Sequence, residues 1–172
     1  MRFIKLAIIS FILIFLLITT ISLFIPSHIR ISKATDINNT KDAVMSYISN
    51  PDKWKYWFPG ADSLQLLFIE GKLKGIVLDS NSKEGLMITM VNDSSVTATN
   101  IGPAVKRQLE SGWTIYKSSD ISSVTIQWYM DFKFRWYPWE KFSSLFYENI
   151  YGVEMEKGLQ NLKQSAESAA RQ

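Results

Sequence analysis

Side chains that commonly do chemistry are scarce in this sequence, and their scarcity narrows the function first. The 172 residues hold no cysteine and a single histidine, His28. Thiolate nucleophiles and His- or Cys-based metal sites are therefore outside the chain's repertoire. A Ser-His-Asp triad would have to be built on His28. That residue stands just past a long apolar run, where headgroup contact or plain exposure outweighs catalysis, because a general base must sit in a cleft beside substrate. The acidic residues show no clustered spacing that would hold a metal through carboxylates alone. The glycines, Gly71 and Gly75 among them, match neither G-x-G-x-x-G nor the phosphate-loop spacing. No catalytic residue, cofactor or metal ligand is expected.

What remains is one arginine and a set of large apolar side chains. On a predicted strand over 105–117, Arg107 shares a face with Leu109, Trp113 and Ile115. A guanidinium there is costly unless it is paired or lies at a cavity mouth, and Glu110 falls on the opposite face. Trp128, Met130 and Phe132 are the counterparts on the next strand. Trp54 and Trp57 fall three apart on a short helix, and Met155 and Leu159 lie on one face of a C-terminal helix. Such residues either fill a solid interior or line a pocket whose apolar walls and few polar groups suit a hydrophobic ligand. The candidate ligand-binding set is thus Trp54, Trp57, Arg107, Leu109, Trp113, Trp128, Met130, Phe132, Met155 and Leu159.

The elements that must position these residues can be read from periodicity. Residues 28–35 alternate apolar with polar and predict a strand. Asn39 or Thr40 is suited to cap a helix whose face is Ala43, Val44, Tyr47 and Ile48. Asn50-Pro51 closes it, and a second short helix carries the two tryptophans to Pro59-Gly60. From 63 to 134 the period is two: strands over 64–69, 73–79, 86–92, 96–101, 105–117 and 123–135, separated by turn-rich segments such as Glu70-Gly71. Val124, Ile126, Trp128, Met130, Phe132 and Phe134 share one face of the last strand; Thr125, Gln127, Tyr129, Asp131 and Lys133 share the other. That alternation predicts an antiparallel sheet with one buried and one wet side. Met155, Leu159, Leu162, Ala166 and Ala169 then form the apolar stripe of a long helix, in which Gly152 and Gly158 call for a bend or close packing.

Leu6–Ile25 is an unbroken apolar run of 20 residues without charge, and as a helix it would span roughly 30 Å, the hydrocarbon thickness of a bilayer. It exceeds the h-region of a signal peptide and lacks a small-residue cleavage site. Residues 1–27 are therefore read as a membrane anchor and 28–172 as one domain. Arg2 and Lys5 precede the run while Arg30 and Lys33 follow it, a small bias toward keeping the N-terminus inside and the domain outside the cytoplasm. Setting aside Arg2 and Lys5, 17 basic residues face 16 acidic ones. No basic stripe suited to nucleic acid is present. The expected partners are the lipid bilayer and a hydrophobic small molecule or lipid.

Two segments carry a family resemblance. Ala43-Val44-Met45-Ser46-Tyr47-Ile48-Ser49-Asn50-Pro51-Asp52-Lys53-Trp54-Lys55-Tyr56-Trp57 resembles the first-helix segment of the START-like (SRPBCC) superfamily, which includes polyketide cyclase/dehydrase and lipid-transport proteins. Tyr151-Gly152-Val153-Glu154-Met155-Glu156-Lys157-Gly158-Leu159-Gln160-Asn161-Leu162-Lys163 resembles the opening of that family's last helix. The resemblance implies an α+β helix-grip fold, in which a curved antiparallel sheet of about seven strands, two short helices and a long C-terminal helix enclose an apolar cavity. A single N-terminal helix is similar to membrane-anchored bacterial members. The implied function is a membrane-tethered domain binding a hydrophobic small molecule or lipid without covalent chemistry. The alternatives are a cyclase- or hydrolase-type enzyme, which needs Asp, Glu and Tyr converging on one pocket, and a structural or interaction module with a filled interior.

Overall fold

The computed structural model describes residues 2–60, 65–79, 81, 84–102, 109–117 and 123–169. It begins with α1 (Arg2–Leu23), followed by β1 (His28–Ile37), α2 (Lys41–Ser49) and a 3-10 turn (Pro51–Tyr56). Thr40 caps α2 by accepting from the Ala43 N–H at 3.3 Å, and Asn50 caps the 3-10 turn through Asp52 N–H at 3.1 Å, with Pro51 at the first position where its missing N–H costs nothing.

Six strands then run as a meander: β2 (Gln65–Ile69), β3 (Lys72–Asp79), β4 (Glu84–Val91), β5 (Ser95–Ile101), β6 (Leu109–Lys117) and β7 (Val124–Lys133). With β1 returning beside β7, the sheet is antiparallel throughout in the order β1-β7-β6-β5-β4-β3-β2. The β2–β3 hairpin turns at Glu70 and Gly71, both left-handed at φ 51° and 74°, the pair of positive φ values that matches strand twist in a two-residue loop.

In β7 the expected inward set is buried from Val124 to Phe132, with Phe134 continuing just past the strand. The outward set is wet with one exception, Asp131, which is only 7% exposed. His28 and Arg30 on the neighbouring strand cover it. Arg30 Nε donates to Asp131 Oδ1 at 2.8 Å, its second nitrogen pairs with Oδ2, and His28 Nε2 lies 3.2 Å from Oδ1.

The long C-terminal helix that the sequence pattern predicts is present, and the chain reaches it in three steps. α3 (Pro138–Ser144) is followed by a π turn (Glu148–Gly152), which passes directly into α4 (Val153–Ala169). α4 lays Met155, Leu159, Leu162 and Ala166 on the sheet, whereas Ala169 is exposed. Gly158 lies tight against the rings. A Cβ there would stand 2.8 Å from Trp128 Cζ3 and 2.9 Å from Pro59 Cδ. Lys33 of β1 braces the π turn and the first turn of α4, its ammonium 2.8 Å from Glu148 and 2.9 Å from Glu156. Those two carboxylates hold the Lys33 pKa above the ordinary lysine range.

α1 is apolar and almost wholly exposed, and it is long and apolar enough to cross a membrane. It packs on α3. Ser22 is fully buried there, and the buried Lys141 donates to the Ile25 carbonyl at 2.8 Å.

Candidate functional site

The space between the concave sheet face and the helices divides into a filled half and an open half. The filled half is a cluster of five rings: Trp54, Trp57, Phe58, Trp113 and Trp128, with neighbouring centroids 5.2–6.0 Å apart in mostly tilted or edge-on pairs. Such geometry suits ring quadrupoles. The indole N–H groups are tied down individually: Trp54 to the Ile48 carbonyl at 3.0 Å, Trp57 to the Tyr47 carbonyl at 3.3 Å, and Trp128 to the Ser111 hydroxyl at 2.8 Å. Trp113 Nε1 is buried without a partner among the described residues.

The open half is a cavity of about 720 Å³. This volume falls within the range of small-molecule sites, about 300–1,000 Å³. Its floor is Leu86 of β4, Leu109 of β6, and Trp128, Met130 and Phe132 of β7. Phe58, Pro59 and Gly60 close one side, and Leu78 and Ile101 extend the apolar surface toward the far strands. The remaining wall is Tyr147, Tyr151 and Glu154, from the π turn and the start of α4. Tyr147 and Tyr151 fall four apart, so both rings point inward. Each packs on Phe132, with centroids at 4.9 and 4.7 Å. Polar groups are few: Glu84, Asn100 and Glu154 beside the two phenols. Asn100 is partly committed, since its side-chain oxygen accepts from Leu109 N–H at 3.0 Å.

Against this geometry the ten candidates separate. Leu109, Trp128, Met130 and Phe132 stand on the cavity floor. Trp54, Trp57 and Trp113 do not reach it; they are 0–1% exposed inside the ring cluster. The reason is physical: Trp54 of the 3-10 turn and Trp57 just past it direct their rings onto Trp113 of β6, so indoles expected to rim the hollow pack on one another instead. Met155 and Leu159 are buried in the seam where α4 meets the sheet and do not line the cavity either. Arg107 lies outside the described residues.

The residues that sequence reasoning missed are Phe58, Pro59, Gly60, Leu78, Glu84, Gly85, Leu86, Asn100, Ile101, Tyr147, Tyr151 and Glu154. The Tyr147–Tyr151 spacing is a helical signal that could have been found. Glu154 opens α4, and the rest come from the strands and from the turn after the 3-10 segment, where lining a cavity depends on how strongly the sheet curls. Among the described residues no three His, Asp or Glu side chains gather as a metal site would require.

The other polar cluster, on the convex face, has a simpler account. The Arg30 guanidinium, hydrogen-bonded to Asp131, holds that carboxyl below the usual aspartate range against the opposing effect of burial, with His28 adding a smaller pull. Arg30 also stacks 4.3 Å over the Tyr129 ring. The cluster ties β1 to β7 and faces away from the cavity.

No family model and no curated protein matches the chain. Solved structures do. A START superfamily protein from Mycobacterium smegmatis superposes with a TM-score of 0.58 at 14% identity, covering 81% of this chain and 98% of that one. The fold is the START-like helix-grip fold. Zhui aromatase/cyclase from Streptomyces sp. R1128 matches at TM-score 0.62 and 13% identity, over 81% of this chain and 94% of its own. The di-domain ARO/CYC StfQ of the steffimycin biosynthetic pathway matches at 0.63 and 9% identity, covering 84% of this chain and 52% of that chain. The cavity sits between the curved sheet and the π turn and first residues of the long C-terminal helix.

Proposed function

We propose that this chain is a membrane-anchored helix-grip domain that binds a hydrophobic small molecule or lipid in the cavity beneath the π turn. The observation that carries the reading is a 720 Å³ space that survives beside five packed rings. A scaffold with a filled interior would leave no such volume. Binding would come from burying the ligand's apolar surface, worth about 25 cal/mol per Å² before association costs. Glu84, Asn100, Glu154 and the two tyrosine hydroxyls would orient whatever polar group it carries. α1 would span the bilayer once, and the weak charge bias of its flanks favours the domain outside the cytoplasm.

A second reading is supported by one specific feature. Two carboxylates and two phenols share the cavity wall, the kind of set that acid–base chemistry on a bound polyketide-like substrate would use, and the solved neighbours include aromatase/cyclases.

The test is a titration of the purified full chain in detergent with a dansyl fatty acid, exciting tryptophan and reading dansyl emission. Trp128 on the cavity floor is a built-in donor. Saturable, one-site transfer that Leu109→Trp abolishes supports binding in the cavity. Linear, unsaturated partitioning that is the same in both proteins refutes it. Chemical conversion of a bound ligand over time would favour the enzyme.

A further inference from the structure

The π turn that walls the cavity has a second side. Tyr147 and Tyr151 point inward onto Phe132, whereas Phe146, Ile150 and Val153 point outward and are 64%, 56% and 60% exposed. The outward patch continues through Leu145 at 59% to Trp139 and Trp136, both at 62%. A run of large exposed apolar side chains of this extent marks a contact surface on a soluble domain.

The chain itself says what lies over it. Only residues 24–27 separate α1 from β1, and that connection is pinned rather than loose. Lys141 of α3 holds the Ile25 carbonyl at 2.8 Å, and Phe134 N–H donates to the Ser27 carbonyl at 2.8 Å. The patch therefore begins on the element against which the apolar helix is packed. A further exposed apolar group, Leu66, Phe68 and Ile69 on β2, lies at the opposite edge of the sheet from β1, the strand that α1 leads into.

Composition fits the same occupant. Indole rings are favoured at the membrane–water interface, and Tyr137 lies between the two, tilted against Trp136 and stacked on Trp139 with centroids 4.9 Å apart in both pairs. Arg135 and Lys133 beside it are exposed and basic. The acidic residues of the segment are engaged within the domain: Glu140 is buried and accepts from Arg135 N–H, and the exposed Glu148 is paired with Lys33.

We propose that the face formed by Trp136, Trp139, Leu145, Phe146, Ile150 and Val153 is a second membrane contact, seated in the interfacial layer of the bilayer that α1 spans. The cavity wall made by the π turn is then the part of the domain held against lipid, so the source of the ligand is the bilayer rather than the aqueous phase. This inference rests on the reading of α1 as a membrane-spanning helix.

Lipid quenching tests it and separates the two claims. The full chain is reconstituted into phosphatidylcholine/phosphatidylglycerol vesicles whose acyl chains are brominated near the headgroup end. α1 contains no tryptophan, and four of the six indoles are buried in the domain. Quenching therefore reports the face, with a ceiling of about a third of the emission if interfacial indoles alone are reached. The expected result is quenching approaching that ceiling, its loss in Trp136→Phe/Trp139→Phe, and its reduction by Ile150→Glu/Val153→Glu, with flotation on the vesicles unchanged. A chain that floats but is quenched no more than the double tryptophan variant has this face in water; the inference fails and the anchor stands. A chain that does not float refutes the anchor, and the inference with it.

Discussion

Replacing Gly158 with alanine sets two known effects against each other at the point where α4 seats on the sheet. In an open helix the change would stabilise by about 1 kcal/mol, because glycine loses more backbone entropy on folding. Here the new Cβ would stand 2.8 Å from Trp128 Cζ3 and 2.9 and 3.1 Å from two carbons of the Pro59 ring. Neither neighbour is the free end of a flexible side chain. Trp128 is fixed by its bond to Ser111 at 2.8 Å and by rings on three sides. Overpacking of this kind costs about 1–3 kcal/mol, so the clash outweighs the propensity gain and the net effect is destabilisation by about 1 kcal/mol. For a chain of this size that lowers Tm by about 2–4 °C, read by near-ultraviolet circular dichroism of the full chain in detergent, where the packed indoles give the signal. A variant as stable as the parent, or more so, would refute the claim that α4 and the ring cluster are in tight contact.

Other perturbations follow from the same geometry. Asp131→Asn removes a charge whose pKa is depressed in the folded state, mainly by its hydrogen bond to Arg30. Because Arg30 is half exposed, the loss is screened to about 1–2 kcal/mol at neutral pH. The depressed pKa places that contribution above the unfolded carboxyl value of about 3.9 and removes it as pH falls through the lower folded value. Urea midpoints of parent and variant should therefore differ at pH 7 and converge below about pH 4; a gap independent of pH would contradict the assignment. Lys33→Met releases Glu148 and Glu156 together. It should leave the global melt unchanged while amide exchange over 148–156 quickens, and equal exchange in both proteins would show that Lys33 does not brace the π turn.

Much of the fold could be read from the sequence because sheet patterning and turn chemistry are local. The period-two face of β7 marks which side is buried, and Glu70-Gly71 marks a hairpin whose φ values are both positive. Asp131 escaped because alternation assigns a face but cannot see a neighbouring strand's Arg30 and His28 close over a polar side chain. The break between α3 and α4 escaped because the apolar spacing from Met155 onward is that of a helix whether or not a π turn precedes it.

The site was less legible than the fold. Trp54, Trp57 and Trp113 have the size and spacing expected of cavity walls and equally of core. Which they are depends on whether Trp54 and Trp57 direct their rings onto Trp113 of β6, a tertiary matter with no local signature. Tyr147 and Tyr151, by contrast, carried a readable spacing, and their inward rings separate the cavity from the exposed apolar side of the same turn.

The most direct test of the central claim is native mass spectrometry of the full chain purified in detergent from the cells that make it, compared with Leu109→Trp, in which an indole would occupy the cavity floor. The account predicts a hydrophobic molecule retained at one per chain by the parent and missing from the variant, with folding and yield alike. A parent chain that emerges without any such molecule, or adducts identical in the two proteins, would contradict it.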